Sequence, residues 1–173
     1  MKILIATGNS GKFKEISGIL KGLAHEFVSF GDLGIDTFFE EEGETFEEVA
    51  LAKARHFSKL SGLPTLADDS GIFVDALARE LGVKTRRWGA GAESTDKEWL
   101  EHFMRRMEKE ENRNAKFICA AAYVNGDHEQ IFAEETLGVI TENIEVDIKA
   151  GLPLSSVFKP LGYDTVYSAL SDE

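Results

Sequence analysis

The first twenty-odd residues constrain the fold more than any other stretch of the chain. Ile3-Leu4-Ile5-Ala6 is an unbroken apolar run of the kind that forms a short buried strand. Thr7-Gly8-Asn9-Ser10-Gly11 follows as a glycine-bearing turn, and from Lys12 to Leu20 the apolar residues Phe13, Ile16, Ile19 and Leu20 recur at helical spacing. A strand, a glycine turn and a helix in that order are the opening half of a βαβ unit, with a second strand expected at residues 25–29.

The rest of the chain extends this α/β pattern. A helix is expected from about Thr45 to Leu60, with Phe46, Val49, Ala50, Phe57 and Leu60 on its apolar side. An acidic run (Glu40, Glu41, Glu42, Glu44, Glu47, Glu48) overlaps its start. Thr65-Leu66-Ala67 reads as a strand ending in Asp68-Asp69-Ser70-Gly71, after which Ile72-Phe73-Val74 resumes. Thr95 and Glu98 form a capping box opening a helix whose Trp99, Leu100, Phe103 and Met107 face inward. Residues 115–124 form a long strand, Asn125-Gly126 is a hairpin signal, and residues 129–140 return. The second half is therefore expected to be antiparallel. No repeat, low-complexity tract or linker divides the 173 residues, so one domain spanning 1–173 is expected.

Charge and cysteine content narrow the function. Nineteen Lys and Arg stand against 31 Asp and Glu, a formal charge of −12, which disfavours duplex nucleic acid as a partner because that binding neutralises phosphates with basic residues. A small phosphorylated ligand held at one local site remains compatible. The single Cys119 rules out an internal disulfide framework and a cysteine-cluster zinc site, and it is expected to be a small core residue. The four histidines lack metal-ligand spacing, and no apolar stretch approaches membrane-spanning length. A soluble protein of a reducing compartment, the cytoplasm, is expected.

Four groups of residues are candidates for chemistry. Thr7-Gly8-Asn9-Ser10-Gly11-Lys12 has what a phosphate cradle requires: glycines that let the backbone approach, N–H groups, and a lysine at a helix start. An ordinary strand-to-helix turn has the same composition, and both readings stand. Asp68 and Asp69 place adjacent carboxylates that repel unless a cation or donor intervenes, and hard oxygen ligands favour Mg²⁺ over zinc. A turn with solvated acids is the alternative. Glu48 and Lys53 lie just over one helical turn apart beside the apolar positions Val49 and Ala50. Glu44, Glu47 and the other acids there are accounted for by the helix dipole or by solvent. Arg86-Arg87-Trp88 is a cation–aromatic cluster suited to a phosphate or a base, or else a surface turn.

Together these blocks resemble the inosine triphosphate pyrophosphatase family, which hydrolyses non-canonical purine nucleoside triphosphates. Thr7-Gly8-Asn9-Ser10-Gly11-Lys12 with Glu15 matches the family pattern T-x-N-x-G-K-x-x-E, and Thr45-Phe46-Glu47-Glu48-Val49-Ala50 through Lys53-Ala54 matches T-F-x-E-N-A-x-x-K-A. The third block is Ala67-Asp68-Asp69-Ser70-Gly71 with Val74-Asp75-Ala76-Leu77, Gly82 and Arg87. The fourth is Arg113-x-Ala115-x-Phe117-x-Cys119, followed by Gly138-Val139-Ile140. All four occur in the family's order over roughly the first 140 residues. The resemblance implies an elongated mixed α/β sheet with flanking helices, two lobes around a central cleft, and a homodimer. It implies attack of water on the α-phosphate with Mg²⁺, giving a nucleoside monophosphate and pyrophosphate. Carried over by position, Thr7 to Lys12 hold the triphosphate and Lys53 neutralises phosphate charge. Glu48, Asp68 and Asp69 hold metal, Asp69 is also the general base, and Ser70 and Arg87 contact substrate.

The chain also departs from the pattern. Where the family has G-F-G-Y-D-P-I-F, it has Gly151-Leu152-Pro153-Leu154-Ser155-Ser156-Val157-Phe158. Val49 replaces the Asn of the second block, Thr85-Arg86-Arg87-Trp88 replaces S-A-R-Y, and the Ser-His-Arg motif expected after Leu170 is absent from these 173 residues. The expected function is thus a pyrophosphatase of relaxed or altered base selectivity. The alternative is a catalytically inactive descendant that binds a nucleotide or a protein.

Overall fold

A computed structural model describes residues 1–37, 39–77, 80–91 and 93–170. It holds a mixed α/β architecture built on a six-stranded sheet. The strands are β1 (Lys2–Ile5), β2 (Glu26–Val28), β3 (Thr65–Val74), β4 (Asn114–Asn125), β5 (His128–Ile140) and β6 (Phe158–Pro160), in the spatial order β2-β1-β3-β4-β5-β6. β1 runs parallel to both neighbours, with Ile3 opposite Phe27 and Leu4 opposite Thr65, whereas β6 runs antiparallel to β5, with Val139 opposite Lys159. The parallel half comes from the expected βαβ opening. The second half turns back through the expected hairpin, where Gly126 takes the left-handed φ of 60°.

The described residues fall into two compact units, residues 1–70 with 119–134 and residues 71–118 with 135–173. The first contains α1 (Ser10–Ile19), the single turn α2 (Phe30–Leu33) and α3 (Phe46–Ser61). Its core combines Leu4, Ile5 and Ala67 of the sheet with Val49, Ala50, Ala54 and Phe57 of α3. α3 starts where Thr45 accepts a hydrogen bond from Glu48 N–H and Glu48 reaches back to Thr45 N–H; it stops at Gly62, whose φ of 70° only glycine adopts freely. The second unit contains α4 (Asp96–Met107), opened by the expected Thr95–Glu98 box, with Trp99, Leu100, Phe103 and Met107 buried as the spacing predicts. These pack with Ile72, Val74, Leu77, Ile140 and Phe158.

Three expectations are corrected. Asp68 and Asp69 do not end a strand: β3 continues from Thr65 to Val74 without a break. Leu60 and Ile19, read as apolar-face residues, are exposed, because each lies at the last turn of its helix, past the edge of the sheet-facing stripe. Cys119 is exposed as well; the buried residues of this half of β4 are Ala120, Ala122 and Val124, and strand alternation turns Cys119 to the opposite face. Among the described residues no helix is long and apolar enough to cross a membrane.

Candidate active site

The candidate site lies within the first unit, around the middle of β3. β1 ends at Ile5, and Ala6 N–H still donates to Leu66 O at 2.7 Å, so the chain leaves the sheet just where β3 goes on to Asp68 and Asp69. β1 leads outward to β2 on one side while β3 leads to β4 on the other. Strand order therefore reverses between β1 and β3, which is where ligands gather in open α/β sheets.

The turn after β1 is held by its own side chains. Asn9 Oδ1 accepts from Gly11 N–H at 2.8 Å and Lys12 N–H at 3.2 Å, and Asn9 N–H donates to Thr7 Oγ1 at 3.1 Å. These bonds rigidify the turn and cap α1, and they occupy amides that a phosphate cradle would otherwise offer. Gly8 and Ser10 N–H have no protein acceptor among the described residues. A side chain at Gly8 would meet nothing within 4 Å, so the space beside its Cα is open.

Two lysines reach the acids. From the first turn of α1, Lys12 Nζ donates to Asp68 Oδ2 at 2.6 Å. From α3, Lys53 Nζ donates to the Asp68 carbonyl at 3.0 Å and pairs with Glu41 Oε1 at 2.8 Å. Burial opposes the Lys12 charge, but the Asp68 carboxylate outweighs it and raises the lysine above its ordinary pKa. Asp69 differs from its neighbour. It is 9% exposed and its carboxyl accepts no hydrogen bond from any described residue. Burial is the main cause that lifts it to about 6; Glu41 and Asp68 add to the rise, while Lys53 and Lys12 oppose it. A buried carboxyl in this range changes protonation close to neutral pH, as a general base must.

The structure thus brings together Lys12, Lys53, Asp68 and Asp69 beside the Thr7–Gly11 turn, with Ser70 next along β3 and half-buried. Glu48 is exposed and its Oε2 accepts from the Glu44 and Thr45 N–H groups at 2.9 and 3.3 Å, so its carboxylate caps α3. Arg87 lies in the second unit, exposed on the 3₁₀ turn Gly82–Arg87. Glu41 is the residue that sequence reasoning missed. It stands in a run of acids assigned to the surface, and no spacing rule singles out the one that meets Lys53.

Among the described residues no three His, Cys, Asp or Glu side chains cluster into a ready metal cage.

The sequence model of the Ham1 family matches residues 3–173. The dITP/XTP pyrophosphatase of Yersinia pseudotuberculosis is 41% identical over 125 residues, covering 71% of this chain and 62% of that protein. The chain spans about 62% of the length of the curated relatives it matches. Among solved structures, a HAM1 protein from Coxiella burnetii superposes with a TM-score of 0.80 at 30% identity, covering 99% of this chain and 88% of that one. A nucleoside-triphosphatase/dITP/XTP pyrophosphatase from Mycobacterium abscessus superposes with a TM-score of 0.73 at 31% identity, covering 99% and 90%. With its fold, its order of motifs and nearly its whole length matched, this chain belongs to the Ham1 family.

Proposed function

We propose that the protein is a nucleoside triphosphate pyrophosphatase of the dITP/XTP class, which hydrolyses non-canonical purine nucleoside triphosphates to the monophosphate and pyrophosphate. The observation that carries this reading is the convergence of Lys12 and Lys53 on a strand whose Asp69 is buried, undonated and held near pKa 6. The relatives named dITP/XTP pyrophosphatase support the same reaction class.

In this reading the Gly8 and Ser10 N–H groups and the Lys12 ammonium bind phosphate oxygens, and Lys53 neutralises the charge that builds as the anhydride breaks. Asp69 Oδ takes a proton from a water whose oxygen bonds to the α-phosphorus. The bond from that phosphorus to its bridging oxygen breaks, and pyrophosphate leaves with the electron pair. Lys12 and Lys53 face three carboxylates, Asp68, Asp69 and Glu41, so a bare polyanion meets no net positive charge. This balance favours a nucleotide that arrives with its own cation. Mg²⁺ held by Asp69, with Glu48 as the second candidate, would neutralise phosphate charge at the reacting centre. Selectivity for the base is relaxed, for reasons given with the prediction below, and the working form is a homodimer. Incubating the protein with a panel of nucleoside triphosphates and Mg²⁺ tests the proposal: pyrophosphate release is expected, and orthophosphate release or binding without turnover would overturn it.

A further inference from the structure

The 3₁₀ turn Gly82–Arg87 has an inward side and an outward side. At three residues per turn, Gly82, Thr85 and Trp88 fall on one side, and Lys84 and Arg87 on another. Burial follows that period: Gly82 and Thr85 are buried and Trp88 is half-buried, whereas Lys84 and Arg87 are exposed. The inward side is held at three places. A Cβ on Gly82 would stand 3.0 Å from the Phe73 ring, so the backbone there lies against β3. Trp88 meets Trp99 and Phe103 of α4 edge to face, at ring separations of 6.2 Å. Between them Thr85 Oγ1 accepts from Ile72 N–H at 3.2 Å and donates to Gly82 O at 2.5 Å. Thr85 is 8% exposed, so both bonds are shielded from water. Apolar packing is non-directional, whereas a hydrogen bond constrains angle as well as distance. The hydroxyl therefore fixes how the turn is rotated about its own axis, and that rotation sets the direction of the outward side chains. Arg86 is committed elsewhere, its guanidinium donating to the Ser94 carbonyl and hydroxyl at 2.5 and 3.3 Å.

We infer that Thr85 is a positioning residue that acts through Arg87. Its hydroxyl bolts the turn to β3 at Ile72, two residues beyond Ser70, and so orients the guanidinium two residues further along. A guanidinium binds phosphate oxygens through a planar fork, so its contribution depends on orientation in a way that a lysine's does not. Thr85 touches no substrate itself. This inference rests on the reading of Arg87 as a substrate contact.

The test is steady-state hydrolysis of inosine triphosphate in Mg²⁺ by the full chain, with urea unfolding measured on each variant. T85V keeps the shape and loses the hydroxyl. It should raise KM about 3- to 10-fold with a smaller change in kcat, as for lost binding shared by ground and transition states. T85S keeps the hydroxyl and should stay close to wild type. R87A should raise KM at least as far as T85V does. In the R87A background T85V should add nothing, because a positioning residue has no effect once the group it positions is gone. If T85V is unfolded at the assay temperature, T85C takes its place; its thiol is a weaker partner and should raise KM less, in the same direction. Wild-type KM in these Thr85 variants beside an impaired R87A would overturn the inference and leave the reading of Arg87 intact. Equal losses in the Arg87 and R87A backgrounds would also overturn it, by making Thr85 a structural residue alone. An R87A enzyme with wild-type KM would remove Arg87 from the site and the inference with it, and absence of turnover by wild type would remove both.

Discussion

Lys12 Nζ stands 2.6 Å from Asp68 Oδ2, joining the first turn of α1 to the middle of β3 through side chains that are 19% and 8% exposed. The pair has two jobs that separate under mutation. Lys12→Ala leaves the Asp68 charge buried without its partner, and removing one member of a buried pair costs about 3 kcal/mol. The double variant Lys12→Ala/Asp68→Asn should recover much of that loss in urea unfolding. In activity, Lys12→Ala should weaken every triphosphate substrate by a similar factor, because a lysine at a helix start reads charge and not base. A variant that lost one base and spared another would contradict the assignment.

Asp69 should trade stability for activity. Its native pKa of about 6 lies above the ordinary carboxylate value of 3.8, so between those values the folded protein holds a proton that the unfolded chain has released. Native stability therefore falls as pH rises through that window, by on the order of 2–3 kcal/mol once Asp69 is ionised. Asp69→Asn removes the ionisation. The variant should match wild type near pH 4 and exceed it in melting temperature at pH 8, with turnover down on the order of 10²–10⁴-fold through loss of the general base. A variant less stable than wild type at pH 8 would refute the burial argument.

The raised Asp69 also sets a pH profile. kcat/KM should rise with pH along an acid limb whose midpoint lies at or below 6, since a bound cation favours the ionised carboxylate and draws the value down from its cation-free position. Steady-state rates from pH 4.5 to 8.5 at fixed free Mg²⁺ provide the check; a limb centred above 7 would assign the base to another group.

The strand–turn–helix opening, the Thr95–Glu98 box, the α4 core face and the hairpin were legible because each rests on residues close in sequence. Asp68 and Asp69 were singled out as candidates and misplaced as structure. Aspartate is a poor strand former, so a pair followed by Ser70-Gly71 looks like a turn. What holds β3 is tertiary: its place between β1 and β4 in the sheet, with Lys12, 56 residues away, and Lys53 reaching Asp68. Glu41 was invisible for the same reason, since its distinction from Glu40 and Glu42 is a contact across the fold. The Asn9 cap shows the opposite failure. Its residues do form the turn between β1 and α1, yet the turn spends on itself several of the amides it was expected to offer.

Gly8 separates space from fold. A Cβ there touches nothing within 4 Å, so Gly8→Ala should leave stability within about 0.5 kcal/mol of wild type. If a phosphate approaches the Gly8 amide, that methyl group stands in its way, and KM for triphosphates should rise while kcat changes little. Unchanged KM would remove Gly8 from the site.

Base discrimination should be shallow. Leu152–Ser156 occupies the stretch where the family pattern has its Phe and Tyr, and its two serines spend their hydroxyls within the turn: Ser155 Oγ donates to Leu152 O at 2.6 Å and Ser156 Oγ to Pro153 O at 2.7 Å. Strong rejection of an analogue requires polar groups that the wrong base would leave unpaired, whereas apolar shape alone yields at most about 10²-fold. kcat/KM for inosine, xanthosine, adenosine, guanosine and pyrimidine triphosphates should fall within that range, and a preference of about 10⁴-fold for one base would reject the expectation.

A carboxyl on a loop can relieve its burial by moving a little and admitting water, which lets its affinity for protons drift back to normal. Asp69 has less of that escape, because it sits in the interior of a ten-residue strand, where β1 has already left at Ile5 but β4 is still its neighbour in the sheet. Loosening it means disturbing a long strand and not a loop, so its backbone amide should exchange with deuterium more slowly than those of the Thr7–Gly11 turn. The base is thus kept reactive by immobility. Sequence change around the phosphate turn can retune binding, but the proton affinity of Asp69 is set mainly by its burial in the folded sheet.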